Sequence, residues 1–198
     1  MTEVVGPVVP IRIDLSQLVR RSVASLYSHL ITRPTGQALR LGIESQIGEI
    51  GSLCLSVLDF SQVRVLDYSC ADETVAKLIL RYQRADRPAD AYFVARGVSV
   101  LHRETIEEVL FRHDLALVVQ EAESPERPTL YGELPPLERA VWAALEEIAH
   151  GRSADVANVV AESESRVAAA LDALAERRVV VRHDETRTYY SIGRLLGD

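Results

Sequence analysis

The stretch "LDFSQVRVLDYSCADETVAKLILRY", Leu58 to Tyr82, changes its apolar period midway. Leu53, Leu55, Val57 and Phe60 alternate roughly one in two, as in a buried strand. After the polar joint "DYSCADE" the apolar residues recur at helical spacing, which predicts a helix from about Ala71 to Tyr82. Strand, tight turn and helix in that order make the repeating unit of an α/β layer. The joint crowds Asp67, Ser69, Asp72 and Glu73 together. Ser69 has two readings there. With Asp72 three residues on, it approximates a capping box with Asp in place of Glu. Its hydroxyl is equally a candidate site of phosphorylation, where a charge of about −2 would be added.

Outward from this joint the alternation continues. "AYFVARG" predicts a second strand, "HRETIEEVLFRH" a helix, and Leu115 to Glu121 a third strand. On the N-terminal side "TGQALRLGIESQI" predicts a helix carrying Ala38, Leu39, Leu41, Ile43 and Ile47. "DLSQLVRRSVASLYSHLI" spaces Leu15, Leu18, Val19, Val23, Leu26, Tyr27 and Leu30 as a further helix, begun by Asp14 or Ser16, with Pro34 ending it or opening the next. "IRIDL" reads as an added edge strand. A mostly parallel sheet with right-handed crossovers follows from this order.

After Glu121 the composition shifts. "EAESPERPTLYGELPPLE" holds four prolines and five glutamates with little periodicity, and predicts a linker over 122–134. Residues 135–198 form a different unit. "LERAVWAALEEIAHG" places Leu137, Val141, Leu145 and Ile148 on one helical face. A short helix "SADVANVV" follows, then "SESRVAAALDALAERR", then two strands around an Asp184-Glu185 turn. The fold class expected is therefore α/β, a mixed sheet flanked by helices, followed by a second small α+β domain.

The 198 residues suffice for one large or two small domains. Apolar residues make up 47% and charged residues 26%, an ordinary globular composition. No apolar run approaches the roughly 20 residues of a membrane span, and "MTEVVGPVVPIRID" lacks a basic leader region, so a cytoplasmic protein is expected. Cys54 and Cys70 have neither metal-ligand spacing nor a disulfide framework. A net charge of −7 argues against broad nucleic-acid binding, which rests on neutralised phosphates.

No Gly-rich phosphate loop, His-Glu-x-x-His or Gly-x-Ser-x-Gly motif occurs, and His29, His102, His113, His150 and His183 are scattered. The carboxylates Asp67, Asp72 and Glu73 would need further ligands to hold a divalent ion, and the neighbouring sequence offers none. The expectation is a binding protein with no enzyme activity, cofactor or metal.

Asp59, Phe60 and Val63, followed by Asp67, Ser69, Ala71, Asp72 and Glu73, resemble the STAS domain of anti-sigma-factor antagonists, and more closely its STAS-like relatives. "TRPTGQALRLGIE" is similar to the helix that leads into that strand. The resemblance covers residues 10–121. It implies a signalling protein that works by switching protein partners of the anti-sigma or kinase kind. It also implies a contact surface formed by Asp67, Tyr68, Asp72 and Glu73, with phosphorylation at the joint as the control. The sequence departs from the antagonist pattern Asp-Ser-Ser/Thr-Gly. Here the turn is Asp67-Tyr68-Ser69-Cys70, so Tyr68 aligns with the modified position and Ser69 falls one residue later.

The C-terminal unit resembles the winged helix-turn-helix of bacterial transcription regulators, through Ala154–Val160, the turn at Glu162–Ser163, Arg166, Val167 and Leu171, and the hairpin ending Tyr189-Tyr190. That resemblance makes a DNA-binding regulator the alternative, with the STAS-like part as an input or dimerisation module. Ser163, Ser165 and Arg166 would face bases, and Arg152, Arg182 and Arg187 the backbone. A homodimer would let two half-sites add. From Leu134 to Asp198, eight arginines stand against eleven acidic residues, a net −3 that is unfavourable for DNA.

Overall fold

Strand β3 (Cys54–Asp59) is the strand read from the opening stretch, and the molecule is built outward from it. The structure is a computed structural model and describes residues 20–50 and 53–196. In chain order the elements are β1 (Arg20–Ser25), β2 (His29–Leu30), α1 (Arg33–Ile50), β3, β4 (Val65–Leu66), and α2 over 68–83. Next come β5 (Ala91–Val98), α3 (Val100–Arg112), β6 (Leu117–Glu121) and β7 (Ser124–Tyr131). The chain continues with α4 (Pro136–Ile148), β8 (His150–Gly151), α5 (Ser153–Val160), α6 (Glu164–Glu176), β9 (Val180–His183), β10 (Thr188–Ser191) and α7 (Ile192–Leu195).

The main sheet has the order β1-β3-β5-β6-β7. Its first four strands are parallel, and β7 closes it antiparallel to β6. Each parallel strand lies on the same side of its predecessor. Crossovers of one hand then bring α1, α2 and α3 to a single face. The other face is left to be covered by something else, and the period of the strands records both sides. Cys54, Leu58, Phe93, Ala95, Leu117 and Val119 join the core beneath α1–α3. Their neighbours Leu55, Val57, Tyr92, Val94, Ala116, Val118 and Leu130 join a second core with Val141, Leu145, Leu171, Leu174 and Ile192. The C-terminal unit of α4–α7 and the three-stranded sheet β8-β10-β9 thus packs directly on the free face.

Polar contacts seal the junction. Arg178 Nε donates to the Ala91 carbonyl at 2.7 Å, its guanidinium pairs with Asp90, and it lies 4.1 Å over the Tyr92 ring. Gln83 Nε2 donates to the Arg177 carbonyl at 3.0 Å. Gly132, at φ +105°, makes the turn from β7 to α4, and a Cβ there would stand 2.2 Å from the Leu115 carbonyl oxygen.

Two expectations are corrected. The helix read across residues 14–31 is, from Arg20 to Ser25, the strand β1, paired in parallel register with β3. Short apolar runs fit either period, and pairing with a neighbouring strand decides between them. The beginning of that helix at Asp14 or Ser16 and the strand "IRIDL" lie outside the described residues. The linker read over 122–134 is mostly β7. Its prolines misled the reading, but Pro125 and Pro128 sit on the outermost strand and fall between the residues that β7 pairs with β6.

Candidate functional site

The joint between β3 and α2 is held by one carboxylate. Asp67 is the N-cap of α2. Its Oδ1 accepts from the Cys70 amide at 2.7 Å and from the Ser69 hydroxyl at 3.0 Å, and its Oδ2 accepts from the Thr32 amide at 3.0 Å. Burial pushes this carboxyl upward, but the hydrogen bonds from Thr32, Cys70 and Ser69 outweigh it and hold the pKa below the usual range. The capping role read for Ser69 with Asp72 therefore belongs to Asp67. Ser69 lies inside the first turn, half-buried, with its hydroxyl turned to the cap. Tyr68 is half-buried beneath the Arg112 guanidinium, 5.0 Å from its ring centre.

Helix α2 begins as Tyr68–Ala71, widens into a π turn at Asp72–Ala76, and continues as Lys77–Gln83. Asp72 and Glu73 open the π turn and point inward, 6% and 4% exposed. Arg33 Nη1 reaches Asp72 at 2.8 Å and Glu73 at 2.9 Å. His113 Nε2 stands 2.7 Å from Asp72, Arg40 Nε stands 3.5 Å from Glu73, and Lys77 pairs with Glu73. Burial raises both carboxyl pKa values. The bonds from Arg33 and His113 to Asp72, and from Lys77 and Arg33 to Glu73, more than reverse this, so both lie below the usual carboxylate range. The two acids expected on a contact surface are instead a buried ionic knot that ties α1, α2 and the end of α3 together. Only Lys77, four residues from Glu73, is local; Arg33, Arg40 and His113 lie far from Asp72 and Glu73 in the chain.

Gly36 shows how closely α1 is drawn in. A Cβ there would stand 2.8 Å from the Cys70 carbonyl oxygen and 2.8 Å from Glu73 Cβ. The carbonyl is backbone and cannot rotate away. Gly36→Ala is expected to lower the unfolding free energy by about 1–3 kcal/mol, read from the urea midpoint; an unchanged midpoint would show that α1 can slide.

What the joint does expose is a short parallel ribbon of β2 and β4, in which His29 pairs with Val65 and Leu30 with Leu66. Leu30 is fully buried. His29 and Val65 face outward, and Tyr27, Ile31 and Val65 are 66%, 44% and 42% exposed. Thr32, at φ +77°, follows this ribbon and is held by Asp67. Sequence reading missed the ribbon because Tyr27 and Leu30 fit the apolar stripe of the expected helix.

The DNA-reading candidates sit on the C-terminal unit. Ser163 is the N-cap residue of α6, and Ser165 and Arg166 follow it, all exposed. Arg166 pairs with Glu162, and Arg182 with Asp172 at 3.0 Å and Asp184 at 2.7 Å. Arg152 is exposed before α5, and Arg187 is exposed in the β9–β10 turn. Among the described residues, no three His, Cys, Asp or Glu side chains group as a metal site, and no helix is long and apolar enough to cross a membrane. A scan of the chain against protein-family models finds no match, and neither does a search of curated proteins.

Proposed function

We propose that this protein is a regulatory binding protein, not an enzyme, which switches protein partners through a STAS-like N-terminal domain. Its output or interaction module is a C-terminal winged helix. The reading rests on the exposed ribbon of Tyr27, Ile31 and Val65 beside the Asp67–Ser69 cap. Apolar side chains grouped on a surface mark interaction sites, and these three are exposed. The parallel strands β1, β3, β5 and β6, with their helices on one face, suit a STAS-like layer. The C-terminal order of helix, strand, two helices and two strands suits a winged helix.

The cap supplies a switching mechanism. A phosphate on Ser69 would add a charge of about −2 next to the Asp67 carboxylate that the hydroxyl now contacts. Repulsion would weaken the bond from Thr32 to Asp67, which fixes the end of the ribbon. Modification at Ser69 would thus reach Ile31 through one side chain.

Ser69→Asp is expected to weaken capture of the native partner at least tenfold, which is about 1.4 kcal/mol, with Ser69→Ala near wild type and Ile31→Asp as weak as Ser69→Asp. Equal capture by all four proteins in a pull-down would remove the ribbon from the mechanism.

The second reading, DNA binding, draws on the exposed first turn of α6. It is the weaker of the two, because Arg166 and Arg182 already carry their own carboxylates.

A further inference from the structure

The ribbon of β2 and β4 also carries charge, and the charge points to a kind of partner. Leu30 is buried, so the alternation of a strand turns His29 and Ile31 outward, beside Val65. A cation stands at each end of this face. At one end Arg64 leads into β4, and its amide donates to the Ser28 carbonyl at 2.7 Å. Arg64 is exposed, and its side chain forms no hydrogen bond or ion pair among the described residues. At the other end Arg33 follows Ile31 by two residues and opens α1, with its side chain 49% exposed. It reaches Asp72 and Glu73 through Nη1 alone, so its remaining N–H groups meet no acceptor among the described residues.

The carboxylates of the same region are withdrawn or engaged. Asp72 and Glu73 are buried, while the Arg33 that holds them reaches solvent. Both Asp67 oxygens are taken, by Thr32 on one side and by Cys70 and Ser69 on the other. The backbone carbonyl of Asp59 receives the Leu26 amide, and its side chain is bonded to Arg96 at 2.6 Å and to the Ser61 amide at 3.0 Å. Glu108 is bonded at 2.8 Å to Arg112, which covers Tyr68. In a chain of net charge −7, the ribbon therefore offers solvent apolar side chains bracketed by arginines.

We infer that the ribbon receives an acidic, apolar-rich segment of a protein partner, with its apolar side chains against Ile31, Val65 and Tyr27 and its carboxylates at Arg64 and Arg33. Opposite charges across such a contact speed encounter and select among partners. The inference rests on the partner-binding reading of the ribbon and adds to it the chemistry of the partner.

The probe is a phage-displayed library of random dodecapeptides, selected on the full chain after depletion on the Ile31→Asp variant. Val65→Asp replaces that variant should it fail to fold. The retained peptides are expected to be rich in Asp and Glu with Leu, Ile or Phe between them. Synthesised and labelled, they should bind Arg64→Glu at least tenfold more weakly than the wild type and Arg64→Lys nearly as well. Raising salt to about 0.5 M should weaken them several-fold. Neutral or basic retained peptides overturn the acidic partner and leave the ribbon as a docking surface, and so do acidic ones indifferent to Arg64→Glu and to salt. Oligothymidylate binding the ribbon more tightly than any peptide assigns the surface to nucleic acid and overturns the inference. If depletion leaves no peptide at all, the partner-binding reading of the ribbon falls, and the acidic segment with it.

Discussion

Deleting residues 135–198 is expected to turn the protein into an aggregating species, although the main sheet and its three helices lie wholly in the remainder. The deletion uncovers Leu55, Val57, Tyr92, Val94, Ala116, Val118 and Leu130, the sheet face that α4–α7 cover. Burying a large apolar side chain is worth about 1.5–3 kcal/mol, so this face contributes on the order of 10 kcal/mol. That matches the roughly 5–15 kcal/mol by which a whole domain is stable. The uncovered patch also exceeds what monomers leave exposed. Size-exclusion chromatography with light scattering should find the shortened chain in large assemblies. The full chain should unfold in one transition, with Trp142 fluorescence and far-UV circular dichroism coinciding. A monomeric, cooperatively folding fragment would show that the two cores are separable.

The second large effect belongs to the ionic knot. Glu73→Ala leaves Arg33, Arg40 and Lys77 around a vacated acid, and removing one partner from a buried pair costs roughly 3–5 kcal/mol. Arg33 and Lys77 are partly exposed and regain water, which places the expected loss at about 3 kcal/mol. Asp72→Ala should cost about the same, because His113 loses its acceptor and Arg33 one of its two.

The pH dependence has a fixed sign. Asp72 and Glu73 have folded-state pKa values below their unfolded ones. Their contribution is complete above the ordinary carboxylate values of about 4 and is lost as pH falls through the lower folded ones. The wild-type urea midpoint should therefore fall steeply between about pH 5 and pH 2, and the midpoint of an Asp72→Ala/Glu73→Ala variant should fall less. Parallel curves for the two proteins would mean that the knot does not contribute to acid sensitivity.

These two effects differ in how far they can be read without coordinates. The strands β3, β5 and β6 are runs apolar on both faces, and such runs already require cover on both sides. The joint at Asp67–Glu73 is also visible, because polar residues interrupt two apolar periods there. Which of them caps the helix is not visible, since Asp67 and Ser69 are both good caps and only the reach of Thr32 and Cys70 selects Asp67. The inward turn of Asp72 and Glu73 is hidden for a similar reason: exposed acids are the rule, and of the cations that reverse it only Lys77 is local, while Arg33 and Arg40 come from α1 and His113 from the end of α3.

Local periodicity, caps and turn chemistry are properties of neighbouring residues, and from them alone this chain determined its α/β alternation, the helices α1 and α3, and the small helical unit at its end. Whether Arg20–Ser25 and Ser124–Tyr131 became strands depended on partners elsewhere in the chain, and so did the burial of the acids. The tertiary structure alone decided that the free sheet face and the C-terminal helices share one core. An apolar surface specifies that it must be covered, and packing in three dimensions selects what covers it.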